Sequence, residues 1–319
     1  MNTSVEIFLY FLKLGFTGFG GPVALAAMMQ KELVEEKGWV SRADFDGAFP
    51  LIKAMPGALA VQTCSYLSYR RGGALGAFWG CVGLLSPASA MMVILAILSP
   101  KLFQLEGVKP VLLGFQAGAM ALIALACLQL ARPYQTQKIW WTLVIATFSL
   151  SCVGVPEPVL IFGFGALNIL LSKKLSSSHR VLISAPLLEL VGICFLAGAF
   201  VFGTGLAAIP WLEKKLVVDH QWISQTEFLQ AVAFGQITPG PVLVTTTYIG
   251  YKIGGLTAAV LATIAIYLPG YINMTTWFPR VVDRLAQKSW IRDFSEGALA
   301  AVVGTLCYVL LRYLPTLEV

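Results

Sequence analysis

One stretch of this chain occurs twice, and a duplication constrains a fold more than any composition does. From Trp39 to Gly73 the sequence reads WVSRADFDGAFPLIKAMPGALAVQTCSYLSYRRGG, and from Trp222 to Gly255 it reads WISQTEFLQAVAFGQITPGPVLVTTTYIGYKIGG. Trp39, Ser41, Phe45 and Pro56-Gly57 fall on Trp222, Ser224, Phe228 and Pro239-Gly240 at a constant offset of 183 residues. After a one-residue deletion, Tyr69 falls on Tyr251 and Gly72 on Gly254. The match reaches outward to Phe19-Gly20 on Phe202-Gly203, Glu6 on Glu189 and Pro87 on Pro269. The fold is therefore built from two related halves, here taken as 1–171 and 187–319 with a polar linker at 172–186.

Composition decides where such a pair of halves can live. Apolar residues make up 57% of the chain and charged ones 12%, with a mean hydropathy of +0.78, so an integral membrane protein is expected. Apolar runs at 76–98, 111–130 and 187–208 have about the 20 residues a helix needs to cross hydrocarbon. They lack period-2 alternation, which argues against a barrel. The net charge of +6 is spread over short loops rather than gathered in a patch for nucleic acid, and loop charge of this kind reports orientation. The six cysteines lie unpaired in apolar segments and the two histidines lie far apart, so no disulfide, metal site or cofactor is expected. Ala24-Leu25-Ala26 resembles a signal-peptide cleavage site. The first ten residues carry no Lys or Arg, however, and the same segment recurs at 189–208, which favours a retained helix.

In chain order, 5–28 reads as a membrane helix interrupted at Gly18-Phe19-Gly20-Gly21-Pro22, either a break that lines a ligand path or a packing notch. Segment 29–41 is charged and amphipathic, with Trp39 as an interfacial anchor, and 211–224 is its counterpart. Segment 44–69 is too short and too interrupted for two full spans. Pro56-Gly57 break it into two half-helices, as Pro239-Gly240-Pro241 break its partner, and such backbone is tolerated at membrane depth only where protein or water lines it. Spans at 139–153, 159–171, 255–277 and 294–314 complete the count. If each broken hairpin enters and leaves on one side, one face holds 14 loop Lys and Arg and the other 6; if each crosses once, the split is 9 to 11. The positive-inside rule selects the first arrangement. Five crossings then separate equivalent points, so the halves are inverted about an axis in the membrane plane and both termini lie outside. The expected architecture is an all-α membrane protein of two inverted repeats, each with a re-entrant hairpin broken at Pro-Gly, and its site at the repeat interface.

The half-helices starting at Gly57 and Gly240 would aim free backbone N–H groups inward, where a helix N-terminus of about +0.5 charge suits an oxyanion. Gln62 and Thr63 in the first copy, and Gln236, Thr238, Thr245, Thr246, Thr247 and Tyr248 in the second, supply further donors, and Lys53 is the ammonium group nearest a break. The bland alternative has each Thr bonded to its own helix and Lys53 snorkelling to the interface. Glu6 and Glu189, at equivalent positions, are proton-coupling candidates, or else simply complement the helix dipoles.

These residues carry a resemblance. FTGFGGP followed by a charged segment and W-V-S, then M-P-G-A and Y-R-R-G-G-A-L-G, resembles the signature of the chromate ion transporter family. ITPGPVLVTTTYIGYKIGG and LPGY are similar to that family's second half. The resemblance implies a bacterial inner-membrane carrier that exports chromate, with sulfate as a related or exchanged oxyanion and protons as a coupling ion. It also implies Gly20, Gly21, Pro22, Pro56, Gly57, Pro239, Gly240 and Pro241 as pathway residues. Ala58 departs from the family's usual second Pro, so the two breaks need not be equivalent.

The rivals are an anion channel on the same scaffold, an intramembrane enzyme and an assembly protein. No HExxH and no histidine within a predicted span speak for an enzyme, and an assembly protein has no reason to keep two broken hairpins. The expected partners are a small oxyanion and the lipid bilayer. Membrane transporters often pair, and a homodimer is expected on that ground alone.

Overall fold

A computed structural model describes residues 2–102, 130–153, 186–201 and 205–285 continuously, together with scattered positions in 114–128, 155–167 and 297–311. The expected linker 172–186 falls almost wholly outside the described residues, as do Phe202-Gly203. The spans at 111–130, 159–171 and 294–314 are described only at scattered positions, nearly all of them helical. Among the described residues the secondary structure is helical, with no strand.

The duplication holds element by element. Helices α1 (Thr3–Thr17), α2 (Gly21–Met29), α3 (Arg42–Ala54) and α4 (Leu59–Leu102) form the first half. After α5 (Lys138–Cys152), the second half runs α6 (Pro186–Phe200), α7 (Ile209–Glu213), α8 (Gln225–Ile237) and α9 (Thr245–Thr275), followed by α10 (Phe278–Leu285). Both ends of α6 and of α8 fall on those of α1 and α3 at the 183-residue offset. Local chemistry sets these boundaries. Ser41 caps α3 through the Asp44 N–H, and Ser224 caps α8 in a capping box with Glu227, satisfying donors that a helix start leaves open.

Each long helix is in fact a tight hairpin. In α4 the turn is Gly72-Gly73, with Gly73 at φ 62°, ψ −159°; in α9 it is Gly254-Gly255, with Gly255 at φ 68°, ψ −158°. Only glycine enters that region without strain. The limbs pack back to back: Ser65 and Cys81 meet at 3.1 Å, and their counterparts Thr247 and Thr263 at 2.7 Å. The expected span 76–98 is thus the second limb of α4, and 255–277 is the corresponding limb of α9 with its tail. The most apolar 18-residue stretches within Leu59–Pro100 and Val242–Thr275 have mean hydropathies of 2.3 and 1.7, apolar enough to cross a membrane. The far end of the α9 second limb meets the start of the α4 second limb, where the Tyr271 hydroxyl donates to the Ala74 carbonyl (3.2 Å). Tyr66 and Phe278 meet edge to face, 5.8 Å between centroids.

One expectation is corrected. Segment 5–28 does not run as a single crossing: α1 stops at Gly18, and α2 with the π-helical turn Gln30–Glu36 brings the chain back, so that Trp39 packs on Tyr10 at 5.6 Å. Glu6 pairs with Arg71 (3.3 Å) and Asp44 with Arg70 (3.0 Å). The start of α1, the start of α3 and the end of the first α4 limb therefore share one end of the molecule. The charge count had put residue 6 opposite 69–74; its parity assumed an unbroken first helix. The glycine break at 18–21, with Gly20 and Gly21 at φ 104° and 79°, is what reverses the chain.

Candidate functional site

The breaks follow from proline's effect on the residue before it. Pro disfavours helical backbone there, and Met55 (φ −87°, ψ 149°) and Thr238 (φ −79°, ψ 133°) are both extended. Glycine then turns the chain, at φ 139° for Gly57 and 106° for Gly240. The new helices do not start at these glycines, as the sequence suggests, but two residues on or later. Ala58 accepts from the Gln62 N–H (2.9 Å), so α4 begins directly at Leu59. Pro241 instead accepts from the Val244 N–H (3.1 Å), which inserts the 3-10 turn Val242–Val244 before α9. The Ala58/Pro241 difference is thus a difference in how the two helices start.

The glycine N–H groups are already engaged, each by the other half. Gly57 donates to the Val201 carbonyl (2.6 Å) and Gly240 to the Gly18 carbonyl (2.9 Å). Gly18 and Val201 are themselves equivalent at the 183-residue offset, so the two bonds are one interaction made twice by exchanged partners. Each Pro-Gly break docks on the end of the other half's first helix, bringing Gly20, Gly21 and Pro22 within a few residues of Gly240. The approach is close enough to need small residues: a Cβ on Gly240 would stand 3.1 Å from that of Ala88, and one on Gly15 would stand 2.7 Å from the Leu84 carbonyl. Gly270, the counterpart of Ala88, lies beside Gln62 and Ala58.

Around the breaks, Pro56, Gly57, Ala58, Gln62, Thr63, Thr238, Pro239, Gly240, Pro241, Thr245 and Thr246 are buried or nearly so. The threonines follow the bland alternative in this arrangement. Thr63 donates to Leu59 O (2.8 Å), Thr238 to Phe234 O (2.7 Å), Thr245 to Val242 O and Thr246 to Leu243 O (both 2.9 Å). A hydroxyl has one proton, so these four offer an anion none. The atoms left unsatisfied are different: the acceptors Gln62 Oε1 and Gln230 Oε1, and the donors Gln236 Nε2 and the Tyr248 hydroxyl, are buried with no partner among the described residues, and a buried polar atom so placed costs about 1–3 kcal/mol. The Gln62 amide nitrogen is held by Pro56 O at 2.8 Å.

Lys53 occupies the last turn of α3 and is exposed. Glu6 and Glu189 stand away from the breaks, Glu6 in an ion pair with Arg71 and Glu189 beside His220 Nε2, each at 3.3 Å. Reading the sequence missed the pairs that close the hairpins. Asp44–Arg70 (3.0 Å) has its counterpart in Glu227–Lys252 (3.4 Å). The signal was there, since each position keeps its charge sign between halves. Burial alone would raise the Glu227 carboxyl, but the Ser224 N–H and hydroxyl and the nearby Lys252 ammonium hold it below its ordinary value. An apolar groove of about 720 Å³, bounded by Phe78, Leu85, Val260 and Tyr267, offers an anion almost no polar atom. Among the described residues, no three His, Cys, Asp or Glu side chains cluster as metal ligands.

Comparison with known proteins adds the family. A model of the chromate transporter family matches residues 5–169 and 188–318. The chromate transport protein of Cupriavidus metallidurans is 31% identical over 322 residues, 94% of this chain and 80% of that protein. The probable chromate transport protein of Synechococcus elongatus is 34% identical over 319 residues, 93% of this chain and 81% of that protein. An uncharacterized transporter of Methanocaldococcus jannaschii is 25% identical over 98% of this chain and 84% of its own length. No solved structure matches.

Proposed function

This chain belongs to the chromate transporter family, and from that premise we propose that it is a secondary active carrier of small tetrahedral oxyanions. Chromate leaves the cell through it, with sulfate as the related or exchanged anion, and the protein sits in a bacterial inner membrane as a multi-pass protein. The observation that carries the reading is the reciprocal pair Gly57 N–H to Val201 O and Gly240 N–H to Gly18 O, which ties the two breaks together at the interface of the halves. The meeting of the far end of α9 with the start of the α4 second limb, Tyr271 to Ala74, supports inverted topology. The ion pairs Asp44–Arg70 and Glu227–Lys252 support re-entrant hairpins, since each joins the two ends of a broken segment.

In this reading the anion sits between the breaks. The first-turn N–H groups of residues 59–61 and 242–243 face it with the positive ends of two helix dipoles. Gln236 Nε2 and the Tyr248 hydroxyl supply neutral hydrogen bonds, and Gly20–Pro22 line the approach. Transport exchanges the two docked breaks between equivalent arrangements, each half taking the role of the other. A channel would use the same donors but could not concentrate its ion. The test is chromate and sulfate flux into proteoliposomes, with and without an imposed pH gradient. Accumulation above equilibrium, with each anion inhibiting the other, is expected. Flux that only dissipates a gradient would make the protein a channel.

A further inference from the structure

The two halves agree in backbone yet differ at one pair of positions on the way to the breaks. Three residues before Pro56 stands Lys53; three before Pro239 stands Gln236. Both are in the last turn of helices with matching bounds, α3 and α8, so the positions are equivalent. Their surroundings are not. On α3 the face formed by Asp46, Gly47, Pro50 and Lys53 is exposed, whereas on α8 the counterparts Leu229, Gln230 and Ala233 are buried and Gln236 is half-buried. Lys53 makes no ion pair among the described residues, and the neighbouring Asp46 is engaged by Arg42 at 3.3 Å. Gln236 Nε2 is buried without a partner among the described residues. Asp44, tied to Arg70 at the end of the hairpin, lies nine residues back, about 14 Å along the helix axis. An exposed ammonium group that deep, on a face with Asp46, Gly47 and Pro50, belongs to a water-filled approach and not to lipid.

We propose that the pathway has two chemically unequal mouths, a cationic one at Lys53, open in this structure, and a neutral one at Gln236, closed in it, so that a divalent oxyanion binds more tightly from the Lys53 side. This rests on the oxyanion-carrier reading with inverted halves, because only inversion sends the two positions to opposite faces. The physics is a comparison of donors. A charge-assisted bond to an oxyanion is worth roughly twice a neutral one, and through water the gain is reduced by screening. The difference corresponds to about a tenfold lower KM on the Lys53 face. When the carrier turns over, the Gln236 mouth opens and its stranded amide gains water or the anion as partner.

The experiment uses the full-length protein in proteoliposomes of uniform orientation and measures sulfate KM from each face at neutral pH, where sulfate is a dianion. Wild type should show about tenfold asymmetry. Lys53→Gln should raise KM on the low-KM face alone and bring the faces together, and the exchanged pair Lys53→Gln with Gln236→Lys should reverse the asymmetry. Lys53 is exposed, so its loss removes no packing, and the face-by-face split in KM is a readout that general destabilisation would not produce. Equal KM from both faces in wild type, or an equal rise on both faces in Lys53→Gln, would overturn the inference while leaving the carrier reading intact. Absence of any oxyanion flux in wild type would overturn the carrier reading itself and the inference with it.

Discussion

Replacing Gly240 by alanine tests the docked break most directly, because the substitution keeps the N–H that bonds Gly18 and changes only backbone freedom and one methyl group. The backbone at φ 106° is strained for any residue with a Cβ, by about 1–3 kcal/mol. The methyl would stand 3.1 Å from the Ala88 Cβ, inside the usual 3.5–4.0 Å carbon contact. Ala88 lies on the second limb of α4 and cannot rotate its Cβ away, so this crowding adds about 1–3 kcal/mol. A loss of about 2–6 kcal/mol against a total stability of order 5–15 kcal/mol should be plain in denaturant unfolding of the micelle-solubilised protein, with flux lost in parallel. Ala88→Gly alone should cost about 0.5–1 kcal/mol, as glycine does in a helix. Added to Gly240→Ala it should return the crowding part but not the backbone part, giving a favourable coupling of about 1–3 kcal/mol in the double-mutant cycle. The second half already carries glycine at the corresponding position, Gly270. Gly192→Ala, where an added Cβ meets nothing within 4 Å, is the control and should be neutral or stabilising by about 0.5–1 kcal/mol. Zero coupling would refute the contact between the second break and the α4 limb, and unchanged stability of Gly240→Ala would refute the positive φ.

Two further outcomes are expected. Gly73→Ala and Gly255→Ala meet no neighbour within 4 Å, so each should cost only the backbone strain of about 1–3 kcal/mol, with the two equal and additive within about 0.5 kcal/mol; clearly unequal losses would mean that the turns are not equivalent. Glu227 is held below its ordinary carboxylate value, so its contribution is present above the unfolded pKa and fades as pH falls through the lower folded one. Glu227→Ala should therefore destabilise by about 1 kcal/mol at neutral pH, mostly through the capping box since a partly exposed pair adds little, and the gap should close in acid. A gap that persists at low pH would show that the charge contributes nothing.

What the sequence by itself determined are the features governed by neighbours along the chain. Proline acts on the residue before it, glycine on its own φ, and a serine cap on the next three residues, so the breaks at Pro56-Gly57 and Pro239-Gly240, the starts of α3 and α8 and the duplication itself were legible. So was the helical membrane class, because 57% apolar residues in runs without period-2 alternation leave little else. Family resemblance, read from the same motifs, is upheld by the match across both halves. Tertiary structure decided everything that depends on a partner far along the chain. No local rule says that the Gly57 N–H goes to Val201 or the Gly240 N–H to Gly18, nor that the chain after α2 returns to set Trp39 on Tyr10 rather than crossing onward. The reversals at Gly72-Gly73 and Gly254-Gly255 look, in sequence, like any glycine pair in an apolar run. The ψ near −160° that folds the limbs together is selected by the contacts the limbs then make, Ser65 with Cys81 and Thr247 with Thr263. Donor chemistry at the site was decided there too: a threonine hydroxyl facing its own helix carbonyl and one facing a ligand are the same residue in sequence. Packing alone settles where its single proton points.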